Sequence, residues 1–181
     1  MNFGLKTILP YLIFMVIFIS ISFVNVSAGE YKLGAGDVIS IVVFNEEDFS
    51  VPKIRVPKEG KVTFPFVGDI KITGLTIRKL KKFLVKRLKD GYLKKPQLVV
   101  NILQYRPFFV NGEVNSPGGY PFVEGLTVRK AIAISGGLTD RASLKKISLV
   151  IEGAKKRKKI NKSLDVFMMP GDVLTIGEAM F

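Results

Sequence analysis

Two short devices each occur twice in this chain, and together they restrict what it can fold into. The first is a Gly-Asp turn that runs into a β-branched strand. It appears as Gly34-Ala35-Gly36-Asp37 before Val38–Phe44, and again as Met169-Pro170-Gly171-Asp172 before Val173-Leu174-Thr175-Ile176. The second is a Gly-Leu-Thr lead-in to a helix, Gly74-Leu75-Thr76-Ile77-Arg78-Lys79 and Gly125-Leu126-Thr127-Val128-Arg129-Lys130. Glycine takes positive φ cheaply, and threonine can accept a hydrogen bond from a free N–H of the first helical turn. The two devices come in opposite order in the two halves, so they show shared local construction and not a tandem repeat. Strands and capped helices in one chain predict an α+β fold.

The segments between these devices have their own signals. In the first half, Leu75 and Leu80 stand where a hydrophobic staple would, with Thr76 as the N-cap. Ile77, Leu80, Leu84 and Leu88 recur at helical spacing as the buried face. Lys53–Lys71 reads as short strands around the turn Lys58-Glu59-Gly60-Lys61, and Pro52, Pro57 and Pro65 place them at edges and bends. Gln97–Tyr105 is the next strand, and Arg106-Pro107 ends it, since the residue before proline is pushed to extended geometry. In the second half, aromatic and β-branched Phe108–Val110 suits a strand, and Ser116-Pro117-Gly118 predicts a type II turn. Thr127 caps the second helix with Leu126 and Ala131 as a weak staple, and Gly136-Gly137 stops it. Ile147–Ile151 and the region from Ile160 form a predicted hairpin around Gly153–Lys159.

Composition closes off most catalytic readings. The chain has no cysteine, which excludes disulfides and thiolate metal sites. It has no histidine, the commonest general base and transition-metal ligand. Asp37 and Asp172 could be read as an acid–base pair, but aspartate after glycine commonly bonds its own turn backbone. Neither a metal, a cofactor nor a catalytic residue is predicted, and the chain is expected not to be an enzyme. A glycan-cleaving envelope enzyme would need carboxylates converging in a cleft, and the spacing of acids suggests no such pair.

Residues 1–28 read as an export signal. Lys6 supplies the positive start, Ile8–Val24 is almost unbroken apolar sequence, and Val26-Ser27-Ala28 is a small-residue cleavage pattern. Cleavage is predicted between Ala28 and Gly29. The alternative is a retained anchor, because about 17 apolar residues is the shortest length that spans a bilayer. Pro10, Ser20 and Ser22 weaken the stretch as a permanent span. In either case the rest of the chain is expected outside the cytoplasm.

The chain carries a net charge of +13, and +12 without Lys6, since 1–28 contains no acid (13 − 1). Nucleic acid is the usual partner of such a charge, but an exported protein seldom meets it. An acidic polysaccharide, anionic lipid or acidic protein suits that compartment better. The polar face of the first helix is basic throughout, with Arg78, Lys79, Lys81, Lys82, Lys86, Arg87 and Lys89. Lys155-Lys156-Arg157-Lys158-Lys159 forms a second cationic run, expected at a solvated loop tip. Lys82, Lys86, Lys155, Lys156, Arg157, Lys158 and Lys159 are the candidate contacts to an acidic glycan.

Two further likenesses rest on particular residues. Val110–Ala142 resembles the SLBB domain, a β-grasp module. Tyr31–Tyr105 resembles the polysaccharide export domain that precedes SLBB in Wza-type capsule and exopolysaccharide exporters. The residues behind the second likeness are Leu33–Val38, Phe64-Pro65 with Val67-Gly68, Gly74-Leu75-Thr76 and Tyr92-Leu93-Lys94-Lys95-Pro96-Gln97. The resemblance implies a signal peptide over 1–28, an export domain over 29–105 and an SLBB β-grasp domain over 106–181. It implies a non-enzymatic role in polysaccharide export, in the periplasm or associated with the outer membrane, as a ring-like homo-oligomer. It also implies an inner-membrane chain-length or export co-polymerase as partner. Longer members continue into further SLBB repeats and a pore-lining helix. The expectation here is therefore a separate outer-membrane pore, and the missing lipoprotein cysteine removes that mode of anchoring. A periplasmic β-grasp ligand-binding or scaffold module is the alternative reading.

Overall fold

The computed structural model describes residues 30–152, 157–160 and 163–179, with backbone alone for 157–159. The predicted signal segment, its cleavage site at Ala28 and Gly29, and Lys155 and Lys156 lie outside them. Among the described residues, ten strands and two α-helices build two hydrophobic cores, an α+β architecture.

The N-terminal core begins with β1 (Val38–Val43), the central strand of an antiparallel three-stranded sheet. Its neighbours are β2 (Val51–Arg55) and β5 (Leu98–Gln104). A hairpin of β3 (Lys61–Phe64) and β4 (Gly68–Lys71) lies beside it. The expected turn at Lys58–Lys61 is present between β2 and β3, with Gly60 N donating to Pro57 O at 2.9 Å. But β2 pairs with β1 and not with β3, and the tight hairpin turn lies further on at Pro65-Phe66-Val67. Pro52 sits in β2, an edge strand, as its missing N–H requires. Helix α1 (Ile77–Lys89) buries Leu80, Leu84 and Leu88, and its N-cap Thr76 accepts from Lys79 N at 3.2 Å. Each leucine so buried contributes about 2 kcal/mol.

The C-terminal core is a five-stranded sheet in the order β7-β6-β10-β8-β9. These strands are β6 (Phe108–Gly112), β7 (Gly118–Tyr120), β8 (Ala142–Val150), β9 (Arg157–Ile160) and β10 (Val173–Glu178). In chain order that is 2-1-5-3-4, with β10 parallel to β6 and the other pairs antiparallel. Helix α2 (Val128–Ile134) packs Val128, Ala131 and Ile132 into this core. Gly136 and Gly137 stop it at φ +81° and +85°. The Ser116–Gly118 prediction fails. Gly118 is already extended and pairs with Val110, and the positive φ that turns the chain belongs to Gly112. A Cβ at Gly112 would overlap the Ile176 carbonyl, so the close approach of β10 fixes glycine there.

The repeated devices carry equivalent bonds. Both Gly-Asp turns place glycine at the third position with positive φ, Gly36 at +95° and Gly171 at +87°, as type II turns require. In each turn the aspartate accepts from the N–H three residues back: Gly34 N to Asp37 Oδ2 at 2.8 Å, and Met169 N to Asp172 Oδ2 at 2.8 Å. Its other oxygen accepts from the chain leaving a neighbouring strand, Arg106 N for Asp37 (2.9 Å) and Glu152 N for Asp172 (3.2 Å). Leu33 N donates to Leu75 O, and Met168 N to Leu126 O, so each turn is tied to its own Gly-Leu-Thr segment.

The two aspartate-bound positions, Arg106 and Glu152, pair with each other. Arg106 Nε donates to Glu152 Oε2 at 2.5 Å, and its Nη1 reaches Asp37 Oδ2 at 3.1 Å and Tyr31 Oη at 2.5 Å. Tyr105 packs edge-on against Tyr31 and Phe122, with centroids 5.0 and 5.3 Å away, and donates to Glu124 at 2.5 Å. Residues of both cores therefore meet at this seam. Asp37 and Asp172 are buried, 0% and 1% exposed, with every carboxylate oxygen bonded to turn or seam donors. They are turn-fixing groups, as the sequence suggested.

A Cβ on Gly171 would overlap Glu152 Oε2 and crowd Arg106 Nε, whereas one on Gly125 (φ +74°) meets open space. Gly125→Ala should cost about 1–2 kcal/mol of left-handed strain. Gly171→Ala should cost at least about twice that, read as thermal unfolding, because it adds collision to strain. Equal losses would remove the close packing at the seam. A second outcome concerns alkali. Burial, and then its bond to Glu124, push the Tyr105 hydroxyl up to about 12, while the unfolded chain titrates near 10. Neutral Tyr105 thus stabilises the fold fully below pH 10, and that contribution fades between about 10 and 12. Ultraviolet titration should show a late tyrosinate step that Tyr105→Phe removes; an unchanged titration curve would contradict the seam.

Candidate functional site: an aromatic and cationic tip

Strand β1 leaves the seam at Asp37 and β5 returns to it at Arg106, so the opposite end of the N-terminal core is a tip. The 3-10 turn Glu47–Phe49, the β3–β4 turn and the last turn of α1 gather there. Phe49, Phe66 and Tyr92 form a cluster, with ring centroids 4.4 Å apart for Phe49–Phe66, 6.0 Å for Phe66–Tyr92 and 6.3 Å for Phe49–Tyr92. Phe66 is 57% exposed and Tyr92 49%. Phe66 also sits at φ +61°, a conformation that a bulky side chain rarely adopts. The three-residue turn forces it: Val67 N donates back to Phe64 O (3.2 Å) and Pro65 O (2.7 Å). Such strain concentrates where a side chain must be presented for use.

Cations flank these rings. Arg87 and Asp90 line a cleft with Phe66, Val67 and Tyr92. Beside it lies an open groove of about 630 Å³ bordered by Phe83, Lys86, Arg87, Lys89 and Asp90. The Arg87 guanidinium stands 5.5 Å from the centroid of Phe83. Lys86, Arg87 and Lys89 occupy the last helical turn, where the helix dipole favours positive charge, so the fold tolerates their concentration. Chemically, exposed ring faces can stack on the C–H faces of sugar rings. Guanidinium and ammonium groups bind carboxylates through charge-assisted hydrogen bonds. The groove is open to solvent.

Asp172 and Tyr31, at the seam, serve structure. Burial pushes the Asp172 carboxyl above its usual range, opposed by the N–H groups of Met169 and Glu152. Burial and the bond to Asp37 hold the Tyr31 hydroxyl well above the usual phenol range. No group of three or more acidic, histidine or cysteine residues that could hold a metal occurs among the described residues.

The structure separates the predicted glycan contacts. Lys86 reaches the tip groove, while Lys82 is exposed one turn nearer the seam. Arg157, Lys158 and Lys159 are not at a loop tip: they lie in β9 and pair with Val150, Leu149 and Ser148. Strand β9 thus begins three residues before Ile160, at the edge of its sheet. Phe66, Tyr92 and Arg87 were missed as site residues. The sequence signal was present, since Phe66 lies inside the Phe64-Pro65 and Val67-Gly68 motif and Tyr92 opens the next one.

Among the described residues, no helix is long and apolar enough to cross a membrane. Residues 25–103 match the family described as polysaccharide biosynthesis/export protein, and residues 107–157 match the SLBB domain. The chain is 33% identical over 122 residues to the exopolysaccharide production protein ExoF of Rhizobium meliloti (strain 1021), covering 61% of this chain and 29% of the relative. It is 27% identical over 136 residues to the EPS I polysaccharide export outer membrane protein EpsA of Ralstonia solanacearum, covering 61% and 36%. The polysialic acid transport protein KpsD of Escherichia coli is 27% identical over 135 residues, covering 73% and 24%. The match thus spans roughly a third or less of each of these relatives. The chain therefore carries a segment that matches the polysaccharide biosynthesis/export protein family, followed directly by one that matches the SLBB domain.

Proposed function

We propose that this chain is a non-enzymatic component of a polysaccharide export machine, and that its tip contacts the passing polymer. The observation that carries this reading is the strained, half-exposed Phe66, packed with Phe49 and Tyr92 beside Arg87 and Lys86. Rings for sugar faces and cations for carboxylates suit an acidic glycan. An open groove lets a chain slide, which transport needs and tight capture would prevent. The relatives' roles in exopolysaccharide export and polysialic acid transport support the same reading. The division into an export domain ending at Tyr105 and a β-grasp SLBB domain from Arg106 is part of the proposal, as is a periplasmic location after removal of 1–28.

Among the described residues of one chain, the tip lies on an open surface. Several copies around an axis would enclose a path, through a repeated head-to-tail contact that closes. An inner-membrane co-polymerase and a separate outer-membrane pore complete the route in this scheme. The periplasmic ligand-binding alternative would call for a closed apolar cavity, and the described clefts here are open.

The test is binding to an acidic polysaccharide and a neutral one across a salt series. The acidic polymer should bind more tightly, with affinity falling as salt screens the exposed cations. Phe66→Ala and Arg87→Glu should each weaken it by about tenfold, roughly one 1.4 kcal/mol contact. Thermal stability should stay nearly constant for Arg87→Glu, whose site is exposed. Unchanged affinity in both variants would remove the tip as the contact.

A further inference from the structure

We propose that the free edge of β5 pairs with β5 of a second copy of this chain, extending the three-stranded sheet across a twofold axis. An open strand edge is a template for another chain, and proteins blunt such edges with proline, charge or short length. Every other edge among the described residues is blunted. Strand β2 carries Pro52, Lys53 and Arg55. Strand β7 has three residues, and β9 has four, of which three are cations. The β3–β4 hairpin carries Lys61, Asp69 and Lys71 on strands of four residues. Strand β5 is different. Its seven residues, Leu98-Val99-Val100-Asn101-Ile102-Leu103-Gln104, include no charge and no proline, and no described strand pairs with its outer edge. Leu103 is 53% exposed, and Val42, which pairs with Val99, is 39% exposed.

The occupant follows from the same census. A second copy has one unblunted edge to offer, its own β5, so the contact is isologous. Charge points the same way. Two chains of strongly positive net charge repel, and Pro96–Tyr105 is a ten-residue run without a charge where they can approach.

The backbone selects a register. Phe44 N donates to Gln97 O, so the alternation of an antiparallel pair turns Val99 and Asn101 toward β1. The N–H and C=O groups of Leu98, Val100 and Ile102 then point to the free edge. Pairing centred on Asn101 sets Val100 opposite Ile102 of the second copy, so outward groups meet outward groups. On the outer face it sets Val99 opposite Leu103 and Asn101 opposite Asn101, like with like. Centring on Val100 would place Val99 against Asn101 and lose that match. The contact closes at two copies, and a larger ring would need a second surface.

The chain has no cysteine, so a single Asn101→Cys variant of the full chain gives an unambiguous crosslink. Facing residues at a non-hydrogen-bonded antiparallel pair have Cα atoms about 4.5 Å apart, within disulfide reach. Under mild oxidation, N101C should form a disulfide dimer at least about tenfold faster than Lys53→Cys on the blunted edge, because paired thiols react at high effective concentration. Asn101→Lys and Asn101→Glu should each abolish the noncovalent dimer in light scattering, and an equal mixture should restore it. Equal crosslinking at the two cysteines, or a mixture that stays monomeric at high protein concentration, would overturn the proposal.

Discussion

The guanidinium of Arg106 holds the most demanding position in this molecule, between a fully buried carboxylate and a second one at the surface. Asp37 is 0% exposed, and a charge in such a place is tolerated only when paired and fully hydrogen-bonded. Gly34 N, the Arg106 backbone N–H and side chain, and Tyr31 Oη supply those bonds. The same guanidinium then reaches Glu152, whose backbone N–H holds the second turn aspartate. One side chain at the boundary between the two cores thereby fixes both Gly-Asp turns. Gly34, whose φ is ordinary, is favoured for this reason, because a Cβ there would overlap the guanidinium and push it off its partners.

The rest of the N-terminal core takes its polarity from that seam. Because β1 starts there and β5 ends there, the opposite end carries whatever the turns and the helix terminus present. What they present is aromatic and cationic, with the bulky Phe66 held in a backbone conformation that costs stability. The flanks follow the same division of labour. The other edges carry charge or proline or are short, whereas the edge of β5 has none of these and runs from the tip back to the seam. The proposed polymer contact and the proposed self-association thus use different surfaces of one small core.

Much of the architecture was legible in the sequence because it rests on local chemistry. Thr76 and Thr127 cap their helices, Leu80, Leu84 and Leu88 are buried, and the Gly-Asp turns use their aspartates internally. Failures occurred where a distant partner decided the outcome. Gly118 had a turn's neighbours, yet pairing with Val110 draws it into a strand. β2 was legible as a short strand before the Lys58–Lys61 turn, but its pairing with β1 had no local signal. Arg106 read only as a boundary, since nothing local reveals that Asp37, Tyr31 and Glu152 converge on it. The tip was half visible: its cations were read from the helix, while Phe66 gains its exposure from a turn geometry that no composition signals.

Differential scanning calorimetry of Arg106→Met tests the claim that this residue couples the two cores. The substitution keeps much of the stem's packing and leaves Asp37 buried without its cation, a loss of about 3 kcal/mol or more. The native chain should melt in one cooperative transition. The variant should melt at a lower temperature and in two resolved steps, one for each core. A single transition at the native temperature would show that the cores are held together by something other than Arg106, and would contradict the account.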